Sequence, residues 1–351
     1  MAAVPPTERR LALSSGVSIP ALGLGTFQAT APGEVGAAVK AAIRAGYRLI
    51  DCAAGYGNQK EIGEALAEVF AEGTVQRSDL FIVSKLFQTH HVWEGDDSRC
   101  HETLSQTLAD LRLDYLDLFL IHWPFAFGEK KLEKPPGTPQ PLRLPDGSPN
   151  PIWSIKMEYT QTWKVMENFV NRGQVRSIGV SNFTTVRASP SLSSRPSTSA
   201  STQRIRSDLV WVFAQAQLDH LRSVATIPPA VNQVELHPYF QQQEMVAYCA
   251  AHRIAVMGYS PLGSSADRFP AAHGTTLLNH PTIRELARAA GKTAGQVLIR
   301  FGLQRYPDSL VSIPKSSNAD RIAQNFDVDF ELSAEAMRKI AALESGFRYV
   351  K

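Results

Sequence analysis

The feature that most limits what this chain can become is a rhythm. Short apolar runs, at 23–27, 47–51, 80–84, 115–121, 176–180, 231–236, 255–259 and 310–313, alternate with segments of helical spacing. The helical patterns fall near 33–45, 59–71, 97–112, 157–171, 241–252, 281–290 and 319–325. Apolar runs with almost no polar interruption are buried on both faces, as strands are in a parallel sheet covered by helices. Eight strand-and-helix units in 351 residues predict one closed (β/α)8 TIM barrel spanning 1–351, an α/β fold, rather than an open doubly wound sheet. The first run is also not followed by the GxGxxG turn of a dinucleotide-binding open sheet. Ahead of it, Leu11-Ala12-Leu13 and Val17-Ser18-Ile19 flank a Ser14-Ser15-Gly16 turn and predict an N-terminal β-hairpin.

A barrel gathers the C-terminal ends of its strands around one mouth. Three consecutive runs here end in an ionisable residue: Asp51, Lys85 and His122. Tyr56 follows five residues after Asp51 in the small-residue turn Cys52-Ala53-Ala54-Gly55. Each alone has an ordinary explanation, since Asp51 and Lys85 could be a buried ion pair, Tyr56 a packed loop aromatic and His122 a core histidine. An acid, a phenol, an amine and an imidazole converging on one mouth form a proton-transfer site.

Composition excludes several other classes. The net charge is +3, from 36 basic and 33 acidic residues, which gives no electrostatic case for nucleic acid or a membrane surface. No apolar run approaches the roughly 18 residues that span a bilayer, and residues 1–10 have no signal-peptide core. Cys52, Cys100 and Cys249 have no metal-ligand or CxxC spacing. These numbers read as a soluble, cytoplasmic globular protein; the separate expectation for the whole chain is an enzyme without a metal, acting on a small molecule as a monomer or weak dimer.

The segments Gly23-Leu24-Gly25-Thr26, Asp51 to Asn58, Ser84-Lys85, Ile121-His122-Trp123-Pro124, Gly179-Val180-Ser181-Asn182-Phe183, Asn232-Gln233-Val234-Glu235, Tyr259-Ser260-Pro261-Leu262 and Ile313-Pro314-Lys315-Ser316 occur in an order with a known counterpart. From about Leu11 to Arg348 the chain resembles the aldo-keto reductase superfamily, near its fungal and animal aldehyde, xylose and glycerol reductases. That resemblance implies NADP(H)-dependent reduction of aldehydes and ketones, with polyols such as glycerol as products or reverse substrates. Tyr56 would be the general acid, its pKa lowered by Lys85, which Asp51 holds; His122 would orient the carbonyl.

The cofactor set follows by the same resemblance. Thr26, Ser181, Asn182 and Gln233 match the nicotinamide end, and Tyr259 matches the ring stacked beneath it. Ser260, Leu262 and Ser264 lie along the pyrophosphate path. Lys315, Ser316, Asn318, Arg321, Gln324 and Asn325 match the adenosine end, where two cations favour NADPH over NADH. Phe27, Phe87, His122 and Trp123 would line the substrate pocket. Phe27 stands where animal aldehyde reductases carry tryptophan, and the segment after Phe347 is shorter than in many relatives, so an open pocket for small carbonyls is expected. A second reading is a catalytically weak, NADPH-binding regulatory subunit of the same fold, disfavoured by the complete tetrad.

Two stretches break the rhythm. Residues 125–153 are proline-rich and predict a long loop at the C-terminal face, suited to covering substrate. Residues 188–217 are stranger, with eight serines between Ala188 and Ser207 and flanks that would join into one amphipathic helix if the middle were removed. The segment reads as a disordered loop, a lid, or an intron translated in frame. The interrupted helix and foreign composition favour the last.

Overall fold

In the computed structural model, residues 4–29, 31–93, 95–127, 153–154, 159–183, 217–264 and 275–350 are described. The hairpin is present: β1 (Arg10–Ala12) pairs antiparallel with β2 (Ser18–Pro20). It buries Leu11, Leu13 and Ile19, and Ser15 reaches Ser177, the residue before a barrel strand, at 2.6 Å. It therefore lies beneath the N-terminal end of the barrel, away from the mouth.

The barrel strands follow in order: β3 (Leu24–Gly25), β4 (Leu49–Asp51), β5 (Phe81–Leu86) and β6 (Leu118–Ile121). A two-residue ladder, β7 (Ala126–Phe127) with β8 (Trp153–Ser154), closes the base of the stretch expected to be a plain long loop. Then come β9 (Ile178–Ser181), β10 (Val231–Glu235), β11 (Ala255–Tyr259) and β12 (Leu310–Ile313). The eight-stranded sheet runs β3-β4-β5-β6-β9-β10-β11-β12, each neighbouring pair parallel. It closes on itself. Gly23 N–H donates to Ser312 O at 2.9 Å, Ser312 N–H to Ala21 O at 2.8 Å, and Gly25 N–H to Pro314 O at 3.0 Å. The (β/α)8 expectation is met. β3 is shorter than predicted because Thr26 leaves the ladder and turns its hydroxyl onto Asp51 O at 2.7 Å.

Helices cover the barrel because their apolar stripes face the strands. Glu34–Ala45 packs between Gln59–Ala71 and Ala319–Phe326, so the outer ring closes as the inner one does. Two helices went unread in the sequence, Ala294–Arg305 and Ala334–Ala341. The first buries Gly295, Gln296, Val297, Leu298, Ile299, Phe301, Gly302 and Leu303, nearly all round, which blurs its 3.6-residue period. Its capping box, Thr293 with Gln296, was nonetheless a usable signal. Most of 188–217 lies outside the described residues; Gln217 opens the helix Gln217–Val224, which buries Leu218 and Leu221. Among the described residues no helix is long and apolar enough to cross a membrane.

One close helix contact rests on a missing side chain. A Cβ on Gly63 would sit 2.1 Å from the Asp110 carbonyl oxygen and 2.7 Å from the Leu111 carbonyl carbon. Both are backbone atoms and cannot swing aside. Gly63→Ala should lower stability by about 1–3 kcal/mol or more, read from denaturant midpoints. An unchanged midpoint would mean the helices Gln59–Ala71 and Ser98–Leu111 sit further apart.

Candidate active site

β4 delivers Asp51 to the mouth and β5 delivers Lys85; they are 2% and 0% exposed. Lysine has three protons, and here each direction is used. Nζ donates to the Asp51 carboxylate at 2.7 and 2.8 Å, to Cys52 O at 2.8 Å and to the Tyr56 hydroxyl at 3.4 Å. Tyr56 ends a single 3-10 turn, Ala54–Tyr56, closed by Gly57 at φ 70°. The position requires a left-handed residue, which suits glycine. Gly55 in the same turn lets Phe87 approach, since a Cβ there would lie 2.5 Å from that ring.

His122 follows β6 directly and is held by its backbone: its N–H donates to Leu86 O at 3.1 Å, and Asn182 Nδ2 donates to its carbonyl at 3.0 Å. Its ring meets Tyr56 edge-on, 5.8 Å between centroids. The four residues read from strand ends are therefore brought to one place.

Electrostatics correct one expectation. The Tyr56 pKa is not lowered as expected: burial raises it well above the ordinary phenol value, and the Asp51 charge adds to the rise. The ammonium is shared with Asp51 and Cys52 O, so its field at the phenol does not outweigh the burial. A raised pKa keeps the hydroxyl proton in place, as a proton donor requires. Burial, with Lys85 adding to it, drives the His122 pKa well below its usual value. The imidazole is neutral there, with its Nδ1 buried and without a hydrogen-bond partner.

A second network joins the ends of β9, β10 and β11. Asn182, at φ 63°, donates to Ser181 Oγ at 3.1 Å and accepts from the Tyr259 hydroxyl at 2.9 Å. Asparagine is among the few residues that tolerate this backbone conformation. Ser181 Oγ donates to Gln233 O at 2.9 Å. The Gln233 amide nitrogen donates to Asp51 Oδ1 at 2.8 Å, so it is tied to the ion pair rather than turned outward. The residues matched to the nicotinamide end and the tetrad are one hydrogen-bonded unit.

The remaining positions that the resemblance matches to the cofactor are placed as follows. Ser260 sits at φ 53°, and Gly263 N–H closes the turn on Ser260 O at 2.9 Å. Leu262 and Ser264 are half-buried. Lys315 lies 3.7 Å from Glu34. Ser316 and Asn318 hydrogen-bond each other, and Asn318 caps the helix Ala319–Phe326 through its side chain. Asn325 is buried, with its Oδ1 3.0 Å from where a Cβ on Gly295 would sit, while Gln324 and Arg321 are exposed. Arg321 in the first turn of this helix, with Lys315 three residues ahead of the capping Asn318, suits a phosphate, although Asp320 shares that turn. Polar groups at the strand ends, the half-buried Tyr259 ring and a basic helix end fit a dinucleotide phosphate.

The residues matched to the substrate pocket are aromatic. Phe27 is 47% exposed, with its ring 4.9 Å from Tyr56; Phe87 lies 6.4 Å from His122; Trp123 lies 5.4 Å from Phe125. Most of the loop beyond Phe127 is outside the described residues. Asn58 was quoted in the sequence motif but given no role. Its amide donates to Thr26 O and Ala29 O at 2.9 and 3.3 Å and fixes the loop that carries Phe27.

This geometry agrees with what the chain is similar to. The Aldo/keto reductase family matches residues 21–345. The Xenopus tropicalis aldo-keto reductase family 1 member A1 is 41% identical over 340 residues, covering 96% of this chain and 89% of its own. The Homo sapiens member A1 is 39% identical over 340 residues, with 96% and 90% covered. Among solved structures, the aldose reductase from Schistosoma japonicum superposes with a TM-score of 0.76 at 34% identity, covering 97% of this chain and 94% of its own. The chain belongs to the aldo/keto reductase family. It is an oxidoreductase of carbonyl compounds.

Proposed function

We propose that this protein reduces small aldehydes and ketones to alcohols with NADPH, with Tyr56 as the proton donor. The observation that carries the reading is the Tyr56 hydroxyl at 3.4 Å from a lysine that is itself locked to a buried carboxylate. The cofactor, when bound, supplies the hydride to the carbonyl carbon. Tyr56 gives its proton to the carbonyl oxygen as that oxygen becomes negative, and the resulting phenolate lies beside Lys85. Asp51 keeps the ammonium aimed. The neutral His122 ring hydrogen-bonds the carbonyl oxygen and sets its angle to Tyr56. Ser181, Asn182 and Tyr259 would hold the nicotinamide, with Gln233 linking that set to Asp51. In the oxidation of a polyol such as glycerol, the same phenol in its ionised form accepts the alcohol proton.

An exposed Phe27 supports an open mouth and small, polar carbonyls such as glyceraldehyde. NADPH oxidation measured against a panel of small aldehydes, ketones and sugars tests the reading. No turnover with any of them, despite NADPH binding, would favour the regulatory-subunit reading.

Cofactor choice has its own test. Arg321 is exposed beside the capped helix end, where a 2′-phosphate would lie. A charge-assisted bond there is worth about 1.5–3 kcal/mol, so Arg321→Ala should weaken NADPH binding by roughly ten- to a hundredfold. The NADH dissociation constant should move far less. Equal losses for both cofactors would place Arg321 away from the 2′-phosphate.

A further inference from the structure

A carboxylate that the reaction does not use stands beside the proposed nicotinamide platform. Glu235 ends β10 opposite Tyr259 in the parallel register and is 0% exposed. A buried carboxylate needs partners, and most of those here come from the far end of the chain. Tyr349 N–H donates to Oε1 at 2.7 Å, and Val350 N–H donates to Oε2 at 3.1 Å. His237 Nε2 lies 2.8 Å from Oε1, and Arg348 Nε lies 3.9 Å from Oε2.

The tail fastened in this way also touches the cofactor path. Tyr349 is 1% exposed, and its hydroxyl and ring atoms lie 3.0–3.1 Å from where a Cβ on Gly263 would be. Gly263 adopts φ 76° in the turn closed on Ser260, so this residue must remain glycine on two counts. The Arg348 side chain lies beside the Tyr259 hydroxyl and over the Phe240 ring at 5.2 Å. Glu235, the tail, the 260–263 turn and Tyr259 thus form one continuous packed unit.

We propose that Glu235 is a positioning residue for the cofactor: it clamps Arg348–Val350 behind Tyr259 and the Ser260–Gly263 turn, and so presets both for the dinucleotide. The inference rests on the assignment of Tyr259 and that turn to cofactor binding. Its effect belongs in affinity, because the clamp touches none of Asp51, Tyr56, Lys85 or His122. A clamp that only stabilised the fold would lower the unfolding midpoint without changing the cofactor affinity of the folded protein.

Fluorescence titration of the full chain with NADPH is the test, followed by saturation kinetics. Wild type must bind first; if it does not, the cofactor reading itself fails before any variant is compared. Glu235→Gln keeps the size but turns one acceptor into a donor facing a backbone N–H. Its NADPH Kd should rise by about tenfold or more, with kcat at saturating NADPH changing far less. Arg348→Met, at a side chain 22% exposed, should shift Kd the same way by about threefold. The double variant should lose less than the product of the two, because the residues share one cluster. Folded variants whose Kd stays within about twofold of wild type would overturn the proposal, as would a fall in kcat at unchanged Kd. Should Glu235→Gln fail to fold, Arg348→Met alone decides by the same criterion.

Discussion

Tyr56→Phe will lower carbonyl reduction by about a hundred- to ten-thousandfold and leave NADPH binding nearly intact. The substitution removes one oxygen and keeps the ring, which packs 4.9 Å from Phe27 and 5.8 Å from His122. Lys85 loses only its longest contact, at 3.4 Å, and keeps Asp51 and Cys52 O. Fold and cofactor path should therefore survive, and the loss should fall on kcat. A variant that still turned over at near wild-type rate would move the proton donation elsewhere, to Lys85 or His122. Loss of NADPH binding instead would mean that Tyr56 holds the cofactor.

Lys85→Met should be the other severe change, and for two separable reasons. Removing the ammonium leaves a buried carboxylate with Gln233 as its remaining side-chain partner. Breaking a buried pair in this way costs about 3–5 kcal/mol. It also removes the cation beside the Tyr56 hydroxyl, so the rate should fall by at least about a hundredfold. A second variant separates the two effects. Lys85→Met combined with Asp51→Asn removes both charges and should recover much of the stability while recovering none of the activity. Recovery of activity in the double variant would show that Lys85 acts through folding alone.

Much of this site was legible because it is written locally. Asp51, Lys85 and His122 stand at the ends of apolar runs, and a barrel turns that pattern into convergence. Tyr56 lay in a turn too small to bury it for packing. The rest depended on what sequence spacing does not carry. The direction of the Tyr56 shift is set by desolvation, which exists only once Phe27 and His122 pack against its ring. The helix Ala294–Arg305 was hidden because burial on nearly every side erased its period. Gln233 was matched to the carboxamide, but its bond to Asp51 joins residues 182 positions apart. Glu235 sat in a quoted motif without a role, since its partners Tyr349 and Val350 lie 114 and 115 positions away. Long-range contacts of this kind leave no trace in the spacing of either segment.

The claim at the centre is that a hydride passes from NADPH to a carbonyl carbon inside this barrel mouth. It is tested most directly by incubating the full chain with glyceraldehyde and NADPH carrying deuterium at both C4 positions of the nicotinamide. The product should be glycerol with one deuterium on the new carbinol carbon for each NADPH consumed, and Tyr56→Phe should form almost none. NADPH that binds but yields no deuterated alcohol from glyceraldehyde, nor from a panel of other small carbonyls, would contradict it and leave a cofactor-binding barrel without reductase activity.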